Sequence, residues 1–163
     1  MKTLLIVWYS FTGGSRQMAE AARAGALEAG GIDVRFLAAE EAQSADLLGA
    51  DGYIFACPEN LAAIAGVMKA MFDRTYYDVL GQIEGRPYAA LICAGSDGEN
   101  AQRQLERICT GWRLKRVADT QIVNVGAQTK EEILAQKVIG DADIAQVREL
   151  GATLAAGLEV GVF

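Results

Sequence analysis

The sequence predicts an α/β architecture in three layers, a parallel five-stranded sheet of order 2-1-3-4-5 with helices on both faces. Three observations predict it. The candidate strands are short, continuous apolar runs rather than alternating ones, the pattern of a sheet covered on both sides. Stretches with apolar residues at helical spacing separate those runs, so strand and helix alternate and right-handed βαβ crossovers follow. A loop rich in hydroxyls and glycine, Ser10-Phe11-Thr12-Gly13-Gly14-Ser15-Arg16, joins the first strand to the first helix. In a sheet of this order, that junction is where strand order reverses and ligands bind.

The elements follow in order. Thr3–Tyr9 is the first strand, and Met18, Ala22, Ala26 and Ala29 form one face of the first helix, where small side chains permit close approach to the sheet. Asp33–Leu37 and Gly52–Cys57 are the second and third strands. Apolar or small residues at 61, 64, 65, 68, 71, 72 and 75 predict a helix that starts near Leu61. Tyr88–Ala94 is the fourth strand, and Ala101, Leu105, Ile108, Cys109 and Trp112 mark the helix behind it. The fifth strand is expected over Ala118–Val125. Thr129-x-x-Glu132 is a capping box for a short helix, and Gly140-Asp141 breaks the chain before a last helix carrying Ile144, Val147, Gly151, Leu154 and Leu158. No repeat, low-complexity segment or linker interrupts the pattern, so residues 1–163 are expected to form a single domain.

Composition narrows the function. A net charge of −6 without a basic cluster argues against nucleic acid, because phosphate contacts supply most of that affinity. No apolar stretch approaches the roughly 20 residues of a membrane span, and no basic amphipathic helix suits a membrane surface. The segment Met1-Lys2-Thr3 with its short apolar run lacks a signal cleavage site, and a cytoplasmic location is the expectation. Cys57, Cys93 and Cys109 have no metal-ligand spacing, and the chain contains no histidine, so a protein-bound catalytic metal is not expected. All three read as buried thiols, with Cys57 the one worth testing because it precedes Pro58 at the ligand edge.

The first loop is built to hold a phosphate. A helix N-terminus offers unpaired N–H groups and a positive dipole end, Gly13 and Gly14 let the backbone close on an anion, and Ser10, Thr12 and Ser15 can donate hydroxyls. Arg16 is its only cation, which suits a phosphate held as part of a cofactor better than one transferred. A dinucleotide fingerprint needs Gly-x-Gly-x-x-Gly, and a nucleotide-triphosphate loop needs a lysine after its last glycine; neither is present. A low-molecular-weight phosphatase loop would put cysteine where Ser10 stands, and a receiver domain would put acidic residues there. Two further loops sit at strand carboxyl ends: Pro58-Glu59-Asn60-Leu61, and Ala94-Gly95-Ser96-Asp97-Gly98 with the residues that follow.

Ser10, Thr12, Gly13 and Ser15 match the Thr/Ser-x-Thr-Gly-x-Thr/Ser pattern, and with the stretch Ala50–Tyr77 the chain resembles the flavodoxin-like FMN proteins, nearest the NAD(P)H-dependent FMN and quinone reductases. The resemblance covers about Lys2 to Val125. It implies a flavodoxin-like fold, FMN as cofactor, NAD(P)H as electron donor and a small-molecule electron acceptor; a flavodoxin-type carrier serving a protein redox partner is the alternative. The phosphate would sit on Ser10, Thr12, Gly13, Gly14, Ser15 and Arg16. The ring would lie between Pro58, Glu59, Asn60, Leu61 and Ala94, Gly95, Ser96, Asp97, Gly98. Asn60 would bond the flavin or cap the following helix, and Asp97 reads as a turn residue. No catalytic side chain is expected, because hydride transfer needs no protein base. Neither ring-flanking loop carries an aromatic residue, which leaves a ring face open and favours a reductase. A homodimer is compatible with the resemblance, and Tyr76 or Tyr77 of a second subunit is one source of ring cover.

Overall fold

The computed structural model describes all residues from Met1 to Phe163. In chain order the elements are β1 Thr3–Trp8, α1 Gly14–Ala29, β2 Asp33–Ala38, α2 Ser44–Leu48, β3 Gly52–Asn60, β4 Ala63–Ile64 and α3 Gly66–Val79. They continue with β5 Pro87–Ala94, α4 Glu99–Gly111, β6 Lys115–Arg116, β7 Gln121–Asn124, α5 Lys130–Leu134 and α6 Asp141–Val160. The sheet runs β2-β1-β3-β5 and then β6 and β7, all parallel. With β6 and β7 sharing one strand position, this is the expected 2-1-3-4-5 order.

Period-two alternation divides β1, β3 and β5 between two cores. Leu5, Val7, Phe55, Ala90 and Ile92 join Met68, Phe72, Leu105 and Trp112 under α3 and α4. Leu4, Ile6, Ile54, Ala89 and Leu91 join Met18, Ala22, Val147 and Leu154 under α1 and α6. Ala56 of β3 and Ala89 and Ala90 of β5 let the helices settle close, and both faces of the central strands are buried. No helix is long and apolar enough to cross a membrane.

Three expectations need correction. The helix after β3 starts at Gly66, not near Leu61. Instead β3 overruns the sheet and folds back on itself, Glu59 pairing with Ile64 and Asn60 with Ala63. Leu61 and Ala62 form the tip with φ of +50° and +59°, the two left-handed positions of a tight hairpin turn. The fifth strand is split, because Val117–Thr120 jog between β6 and β7. Glu106 of α4 pins the jog, accepting from Arg116 at 2.8 Å and Thr120 at 2.9 Å. Ala29 is exposed at the end of α1 rather than packed. The small face of α1 serves α6 as well as the sheet: a Cβ on Gly25 would collide with the Arg148 carbonyl, and one on Gly151 with that of Ala22. The short helix α2 was not expected; its C-terminal carbonyls Leu47 and Leu48 are capped by the Arg86 guanidinium at 3.1 and 2.8 Å.

Candidate functional site

The carboxyl ends of β1, β3 and β5 bring the three loops to one edge. In the first, Gly13 takes φ +91° and its N–H donates to Ser10 Oγ at 3.0 Å, which turns the chain into α1. Nothing accepts the N–H groups of Gly14, Ser15 or Arg16, the orphan donors of the first helical turn. Ser15 is 1% exposed and its Oγ has no hydrogen-bond partner, which costs about 1–3 kcal/mol until an acceptor arrives. Arg16 is turned aside: its Nε donates to Glu20 at 2.8 Å and its guanidinium lies 5.3 Å from the centre of the Trp8 ring.

The second and third loops are stitched together. Glu59 Oε1 accepts from the Gly98 N–H at 3.0 Å, so this carboxylate caps α4 at its positive end. Gln104 accepts from the Ile64 N–H at 2.8 Å, and Asn100 donates to the Ala62 carbonyl. Asn60 therefore ends a strand and caps no helix. Asp97 accepts from the Glu99 N–H at 3.2 Å, the turn role expected of it. Gly98 is confined to glycine twice over, by φ +103° and by Ile122 Cγ2, 2.6 Å from where a Cβ would sit.

A fourth segment, unforeseen from the sequence, roofs the first loop. This strap, residues 135–139, follows α5 and is tied down by backbone and by Gln17. Lys137 N–H donates to the Thr12 carbonyl at 2.8 Å. Gln17 Nε2 donates to the carbonyls of Lys137 at 2.6 Å and Gly13 at 3.0 Å, while its Oε1 accepts from Ile139 N–H at 3.1 Å. Gln136 Oε1 lies 2.8 Å from where a Cβ on Gly13 would be, so the strap rests directly on the glycine pair.

Between these segments lies a cavity of about 580 Å³, within the range of small-molecule and cofactor sites. Of the expected residues, Thr12, Pro58, Glu59, Asn60, Leu61, Ala94, Gly95 and Ser96 line it. Ser10, Gly13, Gly14, Ser15 and Arg16 lie outside the lining, the two glycines under the strap, and Asp97 and Gly98 lie outside it too. The lining adds Tyr9, Phe11, Ala62, Cys93, Val125, Ala127, Ile133 and Lys137, which sequence reasoning missed. Tyr9 and Phe11 adjoin a motif already identified and were findable; Ile133 and Lys137 come from distant sequence. Aromatic surface thus enters from the first loop, with Phe11 60% exposed.

The cysteines exchange their expected roles. Cys57 is fully buried in the core under α3, and burial pushes its thiol up to about 12. Cys93 is the one that lines the cavity; burial pushes it up to about 11 against the opposing pull of Lys137. Both stay protonated at neutral pH and offer no nucleophile. Tyr76 and Tyr77 lie near the end of α3, which returns the chain to the amino end of β5, so they are remote from this cavity in their own chain.

Comparison with known proteins agrees with this geometry. The sequence profile described as NADPH-dependent FMN reductase matches residues 9–130, which includes all three loops. A flavodoxin of Aquifex aeolicus (strain VF5) is 33% identical over 98 residues, 60% of this chain and 53% of that protein. The match thus spans about half the length of the curated relative. The fold is similar to that of a flavodoxin from the domain Archaea, with a TM-score of 0.77 and 18% identity, covering 96% of this chain and 99% of that one. It is also similar to part of rubredoxin oxygen:oxidoreductase from Desulfovibrio gigas, with a TM-score of 0.78 and 16% identity over 99% of this chain and 37% of that one.

Proposed function

The chain belongs to the NADPH-dependent FMN reductase family, and from that premise we propose that it is an FMN-dependent oxidoreductase passing electrons from NAD(P)H to a small acceptor such as a quinone or free flavin. The flavodoxin-like fold and the family make it an FMN-binding flavoprotein. Bound FMN supplies the redox chemistry, and the protein positions the cofactor and tunes it.

The residues fit that group. The free N–H groups of Gly14, Ser15 and Arg16, together with the unpartnered Ser15 Oγ, would hold the phosphate. The β3–β4 hairpin and the Ala94–Gly98 loop would flank the ring, fixed at one separation by the Glu59 carboxylate on Gly98. A rim of exposed apolar side chains, Phe11, Leu61 and Ile133, would favour a flat apolar acceptor. The observation that carries the reading is the open mouth: neither the hairpin nor the Ala94–Gly98 loop supplies an aromatic lid, so a reactant can reach a ring bound there. The reading is tested by adding NADH or NADPH anaerobically to the FMN-loaded protein. Rapid loss of oxidised-flavin absorbance, restored by a quinone, is expected; retention of FMN without such bleaching would refute it.

A second reading, an electron carrier for a protein partner, is favoured by the charge of −6 and by the name of the curated relative. Slow NAD(P)H oxidation with fast, salt-sensitive exchange with a basic redox protein would decide for it.

A further inference from the structure

A phosphate monoester carries close to two negative charges, and the cation the motif offers, Arg16, is engaged elsewhere by Glu20 and Trp8. The cavity lining holds two charged side chains, Glu59, committed to Gly98, and Lys137. Lys137 rides on the strap over the glycine pair, its Cβ 3.4 Å from where a Cβ on Gly14 would stand. Its ammonium spends all three donors on the carbonyls of Glu132 at 2.7 Å, Ile133 at 2.9 Å and Ala135 at 2.6 Å, at the end of α5. Those carbonyls are on exposed residues that water can serve, whereas the buried Ser15 Oγ has nothing. Rotating the side chain about its stem exchanges these solvent-accessible carbonyls for a dianion.

We propose that Lys137 is the residue that selects a 5′-phosphorylated flavin over the unphosphorylated one, moving its ammonium from the α5 carbonyls to the phosphate held at the start of α1. This rests on the FMN reading above. Gln17 is its positioning residue, because it fixes the Lys137 carbonyl and the Ile139 N–H against the loop. A charge-assisted hydrogen bond in a partly enclosed site implies a selectivity of about tenfold to a hundredfold.

Quenching of flavin fluorescence measures dissociation constants for FMN and riboflavin on the full chain. Wild type should prefer FMN; Lys137→Gln should lose FMN affinity by about tenfold to a hundredfold with riboflavin affinity nearly unchanged; Lys137→Arg should restore the preference. An unchanged FMN-to-riboflavin ratio in Lys137→Gln, or an equal loss for both flavins, overturns the assignment. Wild type binding neither flavin overturns the FMN reading itself, a result distinct from all of these. If Lys137→Gln does not fold, lysine acylation of wild type read by mass spectrometry decides: FMN should shield Lys137 and riboflavin should not, and equal shielding overturns the proposal.

Discussion

Ser15 Oγ and Trp8 Nε1 are buried polar atoms with no partner, and they differ in consequence. Trp8 lies under the Arg16 guanidinium and stacks on Phe36 at 5.6 Å, so its ring works as packing. Ser15 stands at the start of a 16-residue helix among free amides, where an acceptor would satisfy several donors at once. An unpaired buried hydroxyl destabilises the ligand-free protein, so Ser15→Ala should leave that state equally stable or more stable by up to about 1 kcal/mol. The same change should weaken FMN binding by about tenfold or more, since one hydrogen bond to a charged phosphate is worth at least that. Thermal melts with and without FMN check both halves. A variant less stable without ligand would mean that the hydroxyl is already satisfied.

The β3–β4 hairpin shows why some elements were legible in the sequence and others were not. β1, β3 and β5 are buried on both faces, and their unbroken apolar runs admit one reading. The first loop was legible because its parts are contiguous. Residues 61, 64 and 65 fell at helical spacing by coincidence, yet Leu61 is fully exposed, so period alone could not distinguish a turn tip from a helix face. The strap was illegible because Gln17 and Lys137 are 120 residues apart, and one sequence carries no sign of that contact. The split fifth strand depends on Glu106, again from another element. Two non-glycine residues at positive φ strain the hairpin tip, so Leu61→Asn with Ala62→Gly should stabilise by about 1–2 kcal/mol, raising Tm by about 2–4 °C for each kcal/mol. Calorimetry checks it, and an unchanged Tm would mean that the turn stores no strain. At the split strand, burial alone would raise the Glu106 carboxyl, but hydrogen bonds from Gln102, Thr120 and Arg116 outweigh it and hold the carboxyl below its ordinary value. Its stabilisation is therefore complete above the unfolded glutamate range and is lost as pH falls through the lower folded value. Glu106→Gln should cost about 1 kcal/mol at neutral pH, with the gap to wild type closing in urea titrations as pH falls through and below the ordinary glutamate range.

Across the whole molecule, the sheet serves both cores, so β1, β3 and β5 cannot be lost singly, while the cavity edge hangs on loops. α6 locks against α1 through the reciprocal close approach at Gly25 and Gly151, which places the last helix beside the first. Residues 130–136, by contrast, are exposed throughout and reach the body of the protein through the strap. Opening of that segment should therefore require far less free energy than global unfolding. A ligand between the first loop, the Ala94–Gly98 loop and the strap ties the weakest segment to the strongest. Binding to the native state alone stabilises by RT ln(1 + [L]/Kd), about 2.7 kcal/mol at a hundredfold excess over Kd. For a chain of 163 residues that amounts to a rise in Tm of about 5–10 °C, growing with the logarithm of FMN concentration. Hydrogen exchange should localise the gain: with FMN, amides of residues 135–139 and 95–98 slow markedly, while those of β1 and β3 change only as far as global stability does. Slowing confined to the sheet, with the strap unaltered, would mean that FMN does not engage the strap and that the phosphate end of the cavity closes by other means.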